Sequence, residues 1–196
     1  AENEIELRLG TEVGRIVADR KEVVLADGRA IAYDRLLLAT GAEPVRLTIP
    51  GADQPHVHTL RSASDSRKII AQLASAQSAV VLGASFIGLE VAAALRARKV
   101  DVHVVAPESR PMERILGAEL GDFVRSLHEQ HGVVFHLAET ATAIEPHHVR
   151  LQGGGRLSAD LVVVGIGVRP RTLLAEQAGL AVDRGVRVAS FLGTSV

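Results

Sequence analysis

Val80-Val-Leu-Gly83-Ala-Ser85-Phe-Ile-Gly88-Leu-Glu90 decides the fold. Ser78 to Leu82 is an apolar run ending at Gly83, and it reads as a strand buried on both faces. Leu89 to Ala97 reads as a helix and Val100 to Val105 as a second strand. Strand, glycine turn, helix and strand in this order make a βαβ unit. Gly83 permits the tight turn out of the strand. The third place of the glycine pattern lets the backbone approach a pyrophosphate, and Gly88 lets the helix pack close to the strand. The helix start offers free N–H groups and a partial positive charge to phosphates. The pattern wants glycine at its third place, and Ser85 stands there. Gly83, Ala84, Ser85, Phe86, Ile87 and Gly88 are therefore expected to cradle a dinucleotide. The alternative is a tight turn without a ligand, and the strand–turn–helix context favours the cradle.

An acidic residue for the adenosine ribose is expected about 20 positions after the first glycine, at the end of the second strand. Ala106 occupies that position. Glu108 follows and favours NADH if it substitutes; Arg110, with Arg114 beyond it, favours NADPH if it meets a 2′-phosphate. All three charges are equally readable as solvated loop residues. Glu90 lies on the helix beside Ile87, Ala94 and Ala97. It is a candidate contact to the nicotinamide amide, with a helix-dipole or packing role as the alternative.

Outward from this unit, Ser62 to Ala76 and Ala118 to His131 read as helices, the first with Ile69, Ile70 and Leu73 on one face. Val133 to Leu137, Thr140 to Ile144, Val149 to Leu151 and Leu161 to Val164 read as strands, the last ending at Gly165-Ile166-Gly167. Nearer the start, Ile5 to Leu9 and Val13 to Val17 read as short strands. Val23 to Leu25 enters a hairpin at Asp27-Gly28. Leu36-Leu37-Leu38-Ala39 reads as a strand buried on both faces, closed by Thr40-Gly41. Residues 42 to 54, with Pro44, Pro50 and Gly51, read as a loop and the domain boundary. One pattern occurs twice. Gly28-Arg29, Asp34, Leu36-Leu37-Leu38 and Gly41 are echoed by Gly155-Arg156, Asp160, Val162-Val163-Val164 and Gly167. Two related nucleotide-binding domains would produce this echo.

The formal net charge of −1 gives no field to attract nucleic acid, and aromatics at 3% leave few stacking platforms for single strands. Without cysteine there is no disulfide, thiolate metal site or Cys nucleophile in these residues. The histidines form no zinc-type pair beside a Glu, and no Ser sits in a Gly-x-Ser-x-Gly elbow. No metal site and no catalytic acid, base or nucleophile is expected. No apolar run reaches the ~18 residues of a membrane helix, and no secretory leader is visible; a cytoplasmic protein is expected. Ala1 and the Phe191–Val196 end both read as cut from a longer protein.

Tyr33-Asp-Arg-Leu-Leu-Leu-Ala-Thr-Gly41, Gly83-Ala-Ser-Phe-Ile-Gly-Leu-Glu90 and Val162-Val-Val-Gly-Ile-Gly-Val-Arg-Pro170 together resemble three ordered landmarks of the pyridine nucleotide–disulphide oxidoreductase superfamily. Within it the chain is most similar to NADH-dependent ferredoxin and rubredoxin reductases and to apoptosis-inducing-factor-like, Rieske-linked proteins. The resemblance implies an α/β fold in which a Rossmann-like NAD(P)-binding domain is inserted in a partial FAD-binding domain. Residues 1–52 are expected in the FAD-binding part, 53–185 in the NAD(P)-binding domain, and 186–196 at the return to the first. It further implies that Ala39, Thr40 and Gly41 lie near FAD, and that Gly165, Ile166 and Gly167 line the nicotinamide nucleotide site. The implied activity passes electrons from NADH through FAD to a ferredoxin, rubredoxin or Rieske-type iron–sulfur partner, with NADPH an alternative donor. A thiol-linked reductase or NADH oxidase of the same superfamily and a non-catalytic NAD-sensing module are the competing readings. The family's N-terminal FAD fingerprint and its later Gly-Asp motif are both missing from these residues. The segment alone is therefore expected to be inactive and to self-associate through exposed strand edges.

Overall fold

A computed structural model describes residues 5–196. Expectations resting on residues 1–4, where the first expected domain begins, lie outside the described residues. Strands β1 (Val13–Val17), β2 (Glu22–Leu25), β3 (Ala30–Ala32), β4 (Ala42–Pro44) and β5 (Val57–Thr59) come first. Then α1 (Ala63–Gln72), β6 (Ser78–Leu82), α2 (Phe86–Arg96), β7 (Asp101–Ala106), α3 (Glu113–Gln130) and β8 (Val133–Leu137) alternate. Strands β9 (Ala141–Glu145), β10 (His148–Leu151), β11 (Arg156–Ser158), β12 (Leu161–Val164) and β13 (Val168–Pro170) follow, and α4 (Leu173–Gln177) is the last helix.

The chain divides into two compact units. One holds the residues up to Glu43 together with Arg169–Val196, and the other is Pro44–Val168. These breaks differ from the expected positions after residues 52 and 185, and packing explains why. Leu47 and Ile49 pack on a core cluster of the second unit. Ile144 N–H donates to the Pro50 carbonyl at 2.9 Å, and the Gln54 amide donates to the Ile144 carbonyl at 2.8 Å. The stretch expected as a linker is thus fastened to the unit it precedes. At the other break, α4 packs on β1 within the first unit.

The second unit is Rossmann-like. Its five-stranded sheet runs in the order β5-β12-β6-β7-β8, with all four pairings parallel. Alternate residues build two cores, as strand periodicity requires. Ala79, Val81, Val102, Val104, Leu161 and Val163 face Val91, Ala92 and Leu95 of α2. Val80, Leu82, Val105, Val162 and Val164 face Ile144, Val149 and Leu151 of the antiparallel β9–β10–β11 sheet. The far face of the parallel sheet is therefore covered by a second sheet.

Asp160 fixes the lower end of this sheet. Its carboxylate accepts the Gln77 and Ser78 N–H groups at 3.0 Å each and the Ser78 hydroxyl at 2.9 Å, joining the starts of β6 and β12. Burial pushes this carboxyl up, but the N–H donors of Gln77 and Ser78 outweigh burial and hold it below its usual range.

Helix limits differ from the expectations where caps decide them. α1 starts after a capping box in which Ser62 and Asp65 bond each other's backbone. It ends at Gln72, and of its expected apolar face Ile69 is buried while Ile70 is exposed. α2 begins at Phe86 because Ser85 caps it. α3 runs from Glu113 with a break at Gly117, whose φ of 78° interrupts the first turns; the expected start at Ala118 falls just past that break.

In the first unit β1, β2 and β3 form an antiparallel sheet. Gly28, at φ +88°, turns the β2–β3 hairpin. Two expectations fail here. Ile5 to Leu9 is not a strand, and Ile5, Leu7 and Leu9 are exposed. Leu36 to Ala39 is not a strand either, and Leu37 is 84% exposed. A strand buried on both faces needs sheet neighbours and a layer on each side, and no described residue pairs with this run.

Candidate functional site

Gly83, Gly88 and Gly165 meet where β6 and β12 end. Gly83 has φ +107°, and a Cβ there would stand 2.5 Å from the Gly165 carbonyl oxygen. A Cβ on Gly88 would stand 2.1 Å from the Gly83 carbonyl oxygen, and one on Gly165 would lie 3.2 Å from the Gly88 Cα. A side chain on Gly83 or Gly88 would collide with backbone and one on Gly165 would crowd it, so three backbone segments come together here on glycine. Gly83 N–H donates to the Val105 carbonyl and Gly165 N–H to the Leu82 carbonyl, which fixes both turns to the sheet.

Ser85 joins the two turns. Its hydroxyl donates to the Gly165 carbonyl at 2.7 Å and accepts the Gly88 N–H at 3.4 Å. The Gly88 N–H is thus capped. Ser85, the N-cap of α2 at the positive end of the helix dipole, lines a cleft of about 220 Å³. Gly83, Ala84, Ser85, Gly165, Ile166 and Gly167 line it together with Glu108, Met112, Glu113 and Arg114. The cleft is smaller than the ~300–1,000 Å³ typical of small-ligand pockets.

The remaining expected residues separate. Ala106 is fully buried at the end of β7 and offers no side-chain atom to a ligand. Glu108 is half-buried at the cleft, and its carboxylate has no hydrogen-bond or ion-pair partner among the described residues. Arg110 is committed elsewhere: it bonds Asp122 at 2.8 Å and Glu113 at 3.4 Å and does not line the cleft. The Asp122 carboxylate raises its pKa further, so it stays a paired cation. Arg114 does line the cleft and has no such partner among the described residues. Phe86 and Glu90 are exposed and Ile87 is half-buried, and none of them lines the cleft. Sequence reasoning did not anticipate Pro107, Met112 and Ile115 in the lining of the cleft. Met112 is placed by φ of 51° and by an N–H bond to the Ala84 carbonyl at 3.2 Å, a conformation that its side-chain type does not signal.

In the first unit, Thr40 lines a cavity of about 440 Å³ that also takes in Tyr33, Leu36, Leu38 and Val186. Ala39 and Gly41 do not line it. The Thr40 hydroxyl donates to the Arg171 carbonyl at 2.7 Å.

A parallel sheet that ends in mutually packed glycines beside a capped helix start defines the class of dinucleotide-binding α/β proteins. All of residues 1–196 match the family model described as pyridine nucleotide-disulphide oxidoreductase, and the chain belongs to that family. It is similar to rhodocoxin reductase of Rhodococcus erythropolis, at 43% identity over 198 residues, 98% of this chain and 46% of that protein. It is also similar to rubredoxin-NAD(+) reductase of Pseudomonas putida, at 38% identity, covering 98% of this chain and 51% of that protein. Among solved structures it resembles the covalent putidaredoxin reductase–putidaredoxin complex, with a TM-score of 0.88, 36% identity, and coverage of 95% of this chain and 47% of that one. The chain spans about half the length of the curated relatives it matches.

Proposed function

We propose that this chain carries the NAD(H)-binding part of an FAD-dependent reductase that passes electrons from NADH through FAD to an iron–sulfur protein of the ferredoxin, rubredoxin or Rieske type. The observation that carries the proposal is the contact of Gly83, Gly88 and Gly165, where added Cβ atoms would meet backbone, so that the start of α2 and both glycine turns come together beside the cleft. This close packing at the end of the parallel sheet is the arrangement by which the glycine pattern presents backbone to a pyrophosphate. Bound there, the reduced nicotinamide would supply a hydride. The chain's own residues bind and orient. The free N–H groups at the start of α2 receive the phosphates, Glu108 accepts from the adenosine ribose, and Gly165 to Gly167 border the nicotinamide nucleotide.

Within this reading Pro44–Val168 is the nucleotide domain and the remaining residues belong to the FAD-binding domain. FAD is supported by family membership, and NAD also by the name of rubredoxin-NAD(+) reductase. Of the three expected FAD contacts Thr40 lines the cavity of the first unit, and Ala39 and Gly41 do not. An iron–sulfur acceptor is supported by the reductases that the chain resembles. Among the described residues no helix is long and apolar enough to cross a membrane.

The test is calorimetric titration of the chain with NADH and with ADP-ribose. Saturable binding of both, lost in Gly83→Val, is the expected result. Unchanged binding in Gly83→Val would remove the cradle from the argument.

A further inference from the structure

Two glycines in the three residues Gly165-Ile166-Gly167 give this turn more backbone freedom than any other residue pair would. Gly167 has φ +114°, and a Cβ there would meet nothing within 4 Å, so packing does not hold it. The Gly165 N–H is held by the Leu82 carbonyl as an extension of the sheet. The Gly165 carbonyl is held by a side chain from another element, the Ser85 hydroxyl. That hydroxyl has a single proton, and it goes to the carbonyl. Ser85 therefore has no proton left to give a phosphate, although it stands at the place in the pattern that faces one.

We propose that Ser85 is a positioning residue that tethers the Gly165–Gly167 turn to the start of α2, and so sets the distance between the two turns that hold opposite ends of the dinucleotide. The proposal rests on the reading of this cleft as the NAD(H) site. A glycine at the third place allows closer backbone approach to the pyrophosphate but leaves the Gly165 carbonyl without its side-chain donor, the turn being held then by the Gly165–Leu82 and Val45–Gly167 backbone bonds alone. Serine gives up some of that approach for the tether. Its loss should be felt at the nicotinamide end of the ligand, which the second turn borders. The ADP-ribose end, held by the first turn, should hardly notice.

Calorimetry on the chain with two ligands separates these effects. ADP-ribose reports the first turn alone, and NADH reports both. Ser85→Ala should weaken NADH about tenfold, the worth of one buried hydrogen bond. ADP-ribose should stay within about twofold. Ser85→Thr, which keeps the hydroxyl, should restore NADH. If Ser85→Ala does not fold, Ser85→Gly carries the same comparison, because glycine is the residue that the pattern itself places there. Equal losses for both ligands would mean that Ser85 acts on the pyrophosphate directly and would overturn the tether. No loss for either ligand, or a folded Ser85→Thr that fails to restore NADH, would overturn it as well. A parent chain that binds neither ligand would refute the nucleotide-site reading itself, an outcome distinct from all of these.

Discussion

The Gly88 Cα lies so near Gly83 that a Cβ added to it would stand 2.1 Å from the Gly83 carbonyl oxygen. That oxygen is backbone on a turn already fixed by a bond from Gly83 N–H to Val105, so it has nowhere to go. Gly88→Ala must push the start of α2 away from β6. It is expected to cost about 1–3 kcal/mol of stability, as overpacking of a tight site does. NADH binding should fall in parallel. A normal melting temperature together with normal NADH binding in the purified variant would refute the close contact.

Cofactor choice turns on two charges that line the cleft, Glu108 and Arg114. Glu108 has a free carboxylate, while Arg110 is held by Asp122 and Glu113. Glu108→Gln should weaken NADH by about 1 kcal/mol, the worth of one hydrogen bond to the ribose. Arg114→Ala should leave NADH nearly unchanged and weaken NADPH. Parallel titrations with the two cofactors decide the matter. Tighter NADPH than NADH binding by the parent, with Glu108→Gln neutral, would reverse the assignment.

Acid should destabilise the second unit through its histidines. His103 Nδ1 and His136 Nε2 are 2.9 Å apart on neighbouring strands. Burial first, and then the neighbouring ring, lowers the His103 pKa; burial also lowers that of His136. The carboxylates facing them, Asp101 and Glu139, pull the other way but do not prevail. The folded state thus favours neutral rings, while the unfolded chain takes up protons near pH 6.5. Their contribution to stability is complete above that pH and is lost as pH falls from about 6.5 toward the folded values. Urea midpoints should drop between pH 7.5 and 5.5, and His103→Gln should shrink the drop. A midpoint that rises on acidification would contradict the sign.

Asp160 supports the sheet with three accepted hydrogen bonds. Asp160→Ala leaves two N–H groups without their acceptor and should cost roughly 1–3 kcal/mol. Denaturant unfolding measures this. A change below about 0.5 kcal/mol, the size expected of an ordinary surface substitution, would show that solvent replaces the carboxylate.

The nucleotide domain was legible because its signals are local. Ser78–Leu82, Val133–Leu137 and Leu161–Val164 are continuous apolar runs, and each is a strand with the expected limits. β5 was not visible: Val57-His58-Thr59 is short and mixed, and it is a strand because β12 pairs with it. Leu36 to Ala39 carries the same kind of apolar run as Leu161 to Val164 but forms no strand among the described residues. An apolar run records what a segment can bury; which strands lie beside it is not written in the run. The repeated pattern shows the same limit. Asp160 bonds across to β6, while Asp34 is exposed with no partner among the described residues. At the cleft the glycines were readable from their spacing. The division of labour between Arg110 and Arg114 was not, because it depends on Asp122, a turn or more along α3.

Val45 N–H donates to the Gly167 carbonyl, and Arg171 N–H donates to the Gly41 carbonyl, each at 3.0 Å. The first bond closes Pro44–Val168 on itself, and the second closes the gap that this segment leaves in the remaining chain. A segment whose two ends are already side by side behaves as a cassette. It can be lifted out, or traded for another of the same footprint, by rejoining the flanking residues with a short link.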